Sequence, residues 1–249
     1  MSVGLTLWRK RKVIQATLIG KSLPEGKMQY TSTILMTEFV THDVKRFILT
    51  RPENFEFKPG QGVKFVINEP AWKDEEGHPF TPTCLAGDRV LEFMIKKYPA
   101  DKGVTERLHS LEPGAQILLS EAFGTITYKG EGTFIAAGAG VTPFIAIFRM
   151  LSREGKLGGN SLIFSNKIPR DIICESELLH YLGSRCILTC TRKSGPGYDS
   201  RRIDEALLRD RVANFDQYFY ICGPDAFVGG TIKALKKLGA KRESLVFEK

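Results

Sequence analysis

Long apolar runs are missing from this chain. None approaches the ~20 residues a bilayer-spanning helix needs, so a membrane span is not expected. Cys-x-x-Cys pairs are missing too. Cys84, Cys174, Cys186, Cys190 and Cys222 are odd in number and scattered, which argues against an iron–sulfur cluster or structural zinc and so against a metal site. Reduced thiols in a cytoplasmic protein are the expectation. Internal repeats and low-complexity tracts are also lacking.

At 249 residues and 42% hydrophobic composition the chain can build two modest domains with packed cores. Its formal charge is +8, but residues 1–30 hold six basic residues against one acid, Glu25. That segment is +5, which leaves only +3 for the other 219 residues. A body so mildly basic argues against a nucleic-acid-binding barrel. The cluster Arg9–Lys12 precedes a short, weakly apolar stretch without a small-residue cleavage site, unlike a secretory signal. A flexible leader or an upstream start is the simplest reading. Pairing of Val13–Ile19 with the barrel, or attraction to a membrane surface, is the alternative.

Residues 31–128 read mainly as strands. Ile34–Val40, Val44–Leu49, Gly62–Ile67, Val90–Lys97 and Gln116–Ser120 are β-rich runs, separated by turns such as Pro59-Gly60 and Pro113-Gly114. With one brief helix at Thr105–Leu111, capped by Thr105, they predict a small antiparallel barrel. Residues 129–249 alternate instead. Strands at Thr133–Ala137, Ser161–Ser165, Cys186–Cys190 and Tyr218–Cys222 interleave with helices at Pro143–Arg153, Ser176–Leu182, Ile203–Arg211 and Asp225–Leu238. That order predicts an α/β domain with a parallel sheet covered on both faces.

The most specific signal lies at Thr133–Arg153. An apolar strand breaks into Gly138-Ala139-Gly140-Val141-Thr142-Pro143, and an amphipathic helix follows. Backbone N–H groups in such a turn approach a phosphate closely, and the helix dipole favours negative charge there. Thr142 is expected as the cap and Pro143 at the first helical position. A second strand ends similarly, at Cys222-Gly223-Pro224. The first turn lacks the third glycine of the usual dinucleotide fingerprint, so taken alone it is a moderate signal.

Together these elements resemble the ferredoxin–NADP⁺ reductase superfamily of flavoproteins, and most of all its compact bacterial flavodoxin or ferredoxin reductases without an iron–sulfur domain. Four motifs occur in family order. His78-Pro79-Phe80-Thr81 stands where the family has Arg-x-Tyr-Ser/Thr, the flavin-holding segment. Gly103-Val104-Thr105 resembles the flavin phosphate turn. Gly138–Pro143 resembles the nicotinamide-nucleotide loop, and Cys222-Gly223-Pro224 the element near the nicotinamide.

The resemblance implies a flavin-binding barrel followed by a nucleotide-binding α/β domain. Phe80 would lie against the flavin ring, with a barrel-core phenylalanine as the plainer alternative. Thr81 would hydrogen-bond near the flavin N5, with Cys222 and Glu248 around the nicotinamide. His78 and Thr81 each precede a proline, which biases both to extended backbone. Lys96 or Lys97, on the strand leading to Tyr98, would supply charge that His78 does not. FAD is favoured over FMN by the resemblance alone. Arg192, Lys193, Arg201 and Arg202 would meet the adenosine 2′-phosphate of NADPH, a lean over NADH. The chain ends at Lys249 without the aromatic terminus that covers the flavin in some relatives.

The implied activity is hydride transfer from NAD(P)H to FAD, then electron release to an acceptor such as a flavodoxin or ferredoxin, by a cytoplasmic enzyme expected to be a monomer. A free-flavin reductase, the reductase component of an oxygenase, or a flavin-binding subunit without turnover are the alternatives. Lys45, Arg46, Lys64, Lys167 and Arg170 are expected to form a positive surface for an acidic acceptor. Because His78 stands for an arginine and an ordinary histidine loses its charge above about 6.5, flavin affinity should weaken as pH rises from about 6 to about 8. Flavin dissociation constants across that range check this, and a flat profile excludes His78 as a charged ligand.

Overall fold

The computed structural model describes residues 28–70, 72, 77–98, 103–124, 126–193 and 195–247. Its first half is an antiparallel sheet of β1 (Met28–Phe39), β2 (Val44–Thr50), β3 (Val63–Ile67), β4 (His78–Phe80), β5 (Val90–Lys96) and β6 (Gln116–Ser120), in the order β4-β3-β6-β1-β2-β5. Strand alternation turns Val63, Phe65 and Ile67 of β3, and Leu91, Phe93 and Ile95 of β5, into one core. Beyond β4 the chain swings back to the opposite edge. Pro82 bridges to Phe93, and the Thr83 N–H donates to the Glu92 carbonyl at 2.8 Å. The two edges of the sheet therefore meet, and the segment expected to hold a flavin is also the seam of the barrel. Helix α1 (Val104–His109) seats Leu108 in the same core.

The second half is a parallel sheet of β7 (Gly132–Ala137), β8 (Ser161–Asn166), β9 (Cys186–Cys190), β10 (Tyr218–Cys222) and β11 (Leu245–Phe247), ordered β11-β10-β7-β8-β9. Helices α2 (Thr142–Arg153) and α3 (Glu175–Leu182) cover one face, where Phe134 and Phe164 pack with Phe144, Phe148 and Leu178. Helices α4 (Glu205–Arg211) and α5 (Asp225–Lys237) cover the other, around Ile135, Ile163, Leu207 and Leu235. The chain winds from β7 outward through β8 to β9, then returns to the far side of β7 as β10. The winding reverses between β7 and β10, and ligands of such sheets bind beyond the carboxyl ends at that reversal. Both glycine turns lie there.

Several boundaries differ from the sequence expectation for local reasons. β1 starts at Met28, because its first residues pair with β6 and its later ones with β2, with a register shift between Ile34 and Met36 that breaks the apolar alternation. β4 and β11 have three residues each, too few for a period to show. α4 begins at Glu205 rather than Ile203, because the Asp204 carboxylate accepts the Leu207 N–H at 3.0 Å and caps it.

Among the described residues the halves are joined by apolar packing, by the Arg149 guanidinium and by a contact of the His42 imidazole with the Asp171 carboxylate at 3.7 Å. Val44 and Met94 of the barrel lie in the same buried cluster as α2 and α3. Arg149 of α2 donates to Glu177 of α3 through Nε and Nη2, at 2.6 and 2.9 Å, and through Nη1 to the barrel's Glu92 carboxylate at 2.5 Å and Thr83 carbonyl at 2.8 Å. Burial works against its charge, but the two carboxylates more than offset this and keep the guanidinium protonated. Burial likewise pushes Glu177 upward, and Arg149 overrides it to hold the carboxyl below the usual glutamate range. Its contribution to stability is therefore present above the ordinary glutamate pKa and fades as pH falls through and below that range.

Gly60 also ties strands to the connection between the halves. It has φ +96°, and a Cβ there would lie 2.0 Å from the Ile126 carbonyl oxygen. Gly60→Ala combines that overlap with a left-handed backbone that costs a non-glycine residue about 1–3 kcal/mol. It should lower the unfolding free energy by at least about 2 kcal/mol, measured by urea denaturation of the two proteins.

Candidate functional site

The turn after β7 is tighter than a loop. Gly138–Val141 forms a 3₁₀ turn that runs directly into α2. Thr142 is therefore not the cap: Val141 holds that position, and the Thr142 hydroxyl donates back to the Ala139 carbonyl at 3.0 Å. Pro143 follows as the second helical residue, where its missing N–H leaves no bond unmade. Gly138 has φ +54°, and a Cβ there would meet open space. Its backbone is thus approachable from outside. Gly140 is the opposite case. A Cβ there would lie 2.4 Å from the Cys222 carbonyl oxygen and 2.6 Å from the Gly223 nitrogen. The two turns are packed against each other, and Gly223 (φ +154°) in turn lies against Ala137.

The barrel reaches this junction through β5, which lies against the Gly138–Val141 turn. Across the seam, His78, Pro79 and Phe80 form β4 opposite Phe65, Lys64 and Val63. Phe80 is half-buried, with its ring edge-on to Phe65 at 5.0 Å between centroids. It both packs on the barrel core and keeps part of its surface outward. Thr81 is also half-buried and leads into the fully buried Thr83.

Other expected ligands are already engaged. Lys96 forms an ion pair with Asp43. Partial burial raises the Asp43 carboxyl, and the Lys96 ammonium outweighs it to hold the group low. Lys97 pairs with Glu106 at 3.3 Å. Thr105 is not a cap: α1 starts at Val104 behind Gly103, and the Thr105 hydroxyl accepts the Tyr98 N–H at 3.1 Å. This bond ties the end of the β5 strand to the start of α1. Tyr98 itself is 51% exposed. Arg201 is held by Asp199 at 2.6 Å and Asp210 at 2.9 Å, and Arg211 also reaches Asp199 at 3.1 Å. Arg192 and Lys193 are exposed beyond β9. Glu248 lies outside the described residues.

Two of the cations expected on an open positive surface are elsewhere. Lys45 is only 9% exposed, and its ammonium donates to the His109 carbonyl at 2.8 Å beneath the Phe39 ring. Arg46 is paired with Glu38. Lys167 and Arg170 remain exposed.

Arg202 is placed differently from Arg201. It lines a cleft of about 390 Å³ beyond the ends of β8 and β9, with Ser165, Thr191, Phe227 and Thr231. The Thr231 hydroxyl is buried without a hydrogen-bond partner among the described residues. A second cavity of about 450 Å³ lies at the opposite end of α2, between Met150, Arg153 and the Leu85–Gly87 turn. It brings together none of the expected site residues. Arg149, Glu92 and Asp43 escaped the sequence reading, because each is a single charge on a strand, helix or hairpin whose partner is remote in the chain.

Residues 134–233 match the family model described as Oxidoreductase NAD-binding domain. The chain is 25% identical over 223 residues to the ferredoxin–NAD(P)⁺ reductase component of the naphthalene 1,2-dioxygenase system of Pseudomonas putida, covering 86% of this chain and 66% of that one. It is 25% identical over 219 residues to the reductase component of propane 2-monooxygenase of Rhodococcus jostii, covering 82% and 58%. It thus spans less than two thirds of the length of these curated relatives. Among solved structures, a ferredoxin NADP⁺ reductase from Neisseria gonorrhoeae with bound FAD and NADP superposes with a TM-score of 0.77 at 20% identity, over 88% of this chain and 97% of that one. The chain shares the two-part fold of this solved reductase, an antiparallel barrel joined to a parallel α/β half, and that second half carries the match to the oxidoreductase NAD-binding domain.

The thiols differ in ways that can be measured. Burial pushes Cys84 up to about 11 and Cys174 and Cys186 up to about 12, so little thiolate exists there near neutrality. Cys222 is half-buried at the junction of the two turns. Native-state alkylation at about pH 8 should label Cys222 first, and Cys222→Ser should remove that fast phase, both read by peptide mass spectrometry.

Proposed function

We propose that this chain is an NAD(P)H-dependent flavoprotein reductase that binds FAD on the barrel and passes electrons to a protein acceptor. The observation that carries the reading is the seating of Gly140 on the Cys222–Gly223 peptide, with β5 against the same turn. It puts a backbone suited to a dinucleotide phosphate beside the barrel seam that holds His78–Thr81. The residues fit the two groups. The open face of Gly138 admits a phosphate where a side chain would intrude, and Phe80 keeps an outward surface for a flat ring.

When bound, FAD supplies the hydride-accepting chemistry, and this chain's residues orient and shield. His78 and Phe80, held extended by pairing to β3, present the flavin side of the crevice. Thr81 offers a hydroxyl at the edge of that segment. The Gly138–Val141 amides and the start of α2 would hold the nucleotide diphosphate. Gly223, lacking a side chain, and Cys222 would flank the nicotinamide and help keep water from the rings.

For the adenosine end, Arg202 rather than Arg201 is the candidate for a 2′-phosphate. The Arg201 guanidinium is committed to Asp199 and Asp210, whereas Arg202 faces the cleft with the spare Thr231 hydroxyl. As acceptor, a ferredoxin or an oxygenase component is favoured by similarity to the two reductase components, and Lys167 and Arg170 are the exposed cations that would meet its acidic face.

The test is direct. The purified protein should take up FAD and be bleached anaerobically by NADPH or NADH; a preparation that binds no FAD overturns the reading. Arg202→Ala should raise KM for NADPH about tenfold, the equivalent of one charge-assisted hydrogen bond, and leave KM for NADH unchanged. Equal effects on both nucleotides, or none, reject Arg202 as the 2′-phosphate ligand.

A further inference from the structure

We propose that Arg149 is a positioning residue, whose guanidinium holds the barrel seam and the glycine turn ahead of α2 at one separation and tilt. The proposal rests on the two ring sites inferred above. It follows from how the side chain is used. Nε and Nη2 grip Glu177 as a fork, while Nη1 crosses to the barrel and bonds both Glu92 and the Thr83 carbonyl. Thr83 is fully buried and held on every polar group. Its N–H donates to the Glu92 carbonyl at 2.8 Å, its hydroxyl to the Glu92 carboxylate at 2.6 Å, and its carbonyl accepts from Arg149.

Thr83 lies two residues after Thr81, a span of about 7 Å in extended chain. Arg149 lies seven residues into α2 from Thr142, about 10 Å along a helix. The guanidinium is therefore a short, stiff strut between the segment that presents the flavin side and the turn that presents the nucleotide side. Apolar packing of Val44 and Met94 brings the halves together, but such contact is non-directional and tolerates sliding. A planar fork does not. Lysine has the reach but not the geometry, since one ammonium cannot grip Glu177 in parallel and bond Glu92 and Thr83 as well. Hydride transfer between two aligned rings is sensitive to this, because a displacement of about 1 Å can lower a rate about a hundredfold.

The variants are Arg149→Lys and Glu92→Gln. In the apoprotein, residual dipolar couplings report the orientation of the halves, and amide exchange reports the Thr83 N–H. In the holoprotein, FAD affinity, NAD(P)H dissociation constant and the anaerobic hydride-transfer rate are measured. Arg149→Lys should remain cooperatively folded and bind FAD and nucleotide within about threefold of wild type. Its apo couplings should reveal a broadened orientation, Thr83 exchange should accelerate, and hydride transfer should fall at least about tenfold. Unchanged couplings and rate overturn the proposal, as does a rate loss matched by lost folded protein or lost flavin. If Arg149→Lys does not fold, Glu92→Gln, which removes the barrel carboxylate charge facing Arg149 and Arg46 and leaves an amide oxygen to accept from Thr83, is judged by the same criteria. Failure of either nucleotide to reduce the wild-type holoprotein would reject the functional reading alone, since the apoprotein couplings still decide the role of Arg149.

Discussion

A bare α-carbon pressed against a peptide bond governs this molecule. Gly140 meets the Cys222–Gly223 peptide at a distance that admits no side chain, and the strands feeding these turns, β7 and β10, are neighbours across the reversal of the sheet. The contact brings two chain segments some eighty residues apart in sequence onto one ledge. It also explains why the first turn winds as a 3₁₀ turn and passes without a break into α2, which leaves Thr142 to bond backward and not to cap.

Much of this was legible in the chain itself. The change from period-two runs to strand–helix alternation near residue 129 marks the two halves, and the glycine turns at the ends of two apolar strands mark the crevice. The illegible parts share a physical cause. Strands of three residues carry no period, and the β1 bulge conceals one that exists. The helix starts near Thr105 and Thr142 differ from the expectation because a hydroxyl next to a turn need not cap the helix: that of Thr105 accepts the Tyr98 N–H beyond β5, and that of Thr142 donates back to the Ala139 carbonyl of its own turn. Charges were the least legible, since a cation's partner is set by tertiary structure.

That last point reshapes the electrostatics. Among the described residues, several cations that the sequence offers as ligands are already matched inside the fold. Lys96 is matched by Asp43, Arg46 by Glu38, Arg149 by Glu92 and Glu177, and Arg201 by Asp199 and Asp210. Lys45 is withdrawn into the fold to satisfy a helix-end carbonyl. Most of these pairs are half-buried and well fixed, so they organise the scaffold more than they steer an approaching protein.

The core shared by Val44 and Met94 with α2 and α3 has a consequence for modularity. A chimera that grafted the barrel of another protein of this fold onto the α/β half would face a mismatched hydrophobic seam as well as a missing counter-charge for Arg149. Outer loops can therefore change independently, but the β1–β2 hairpin and the middle of β5 must change together with α2.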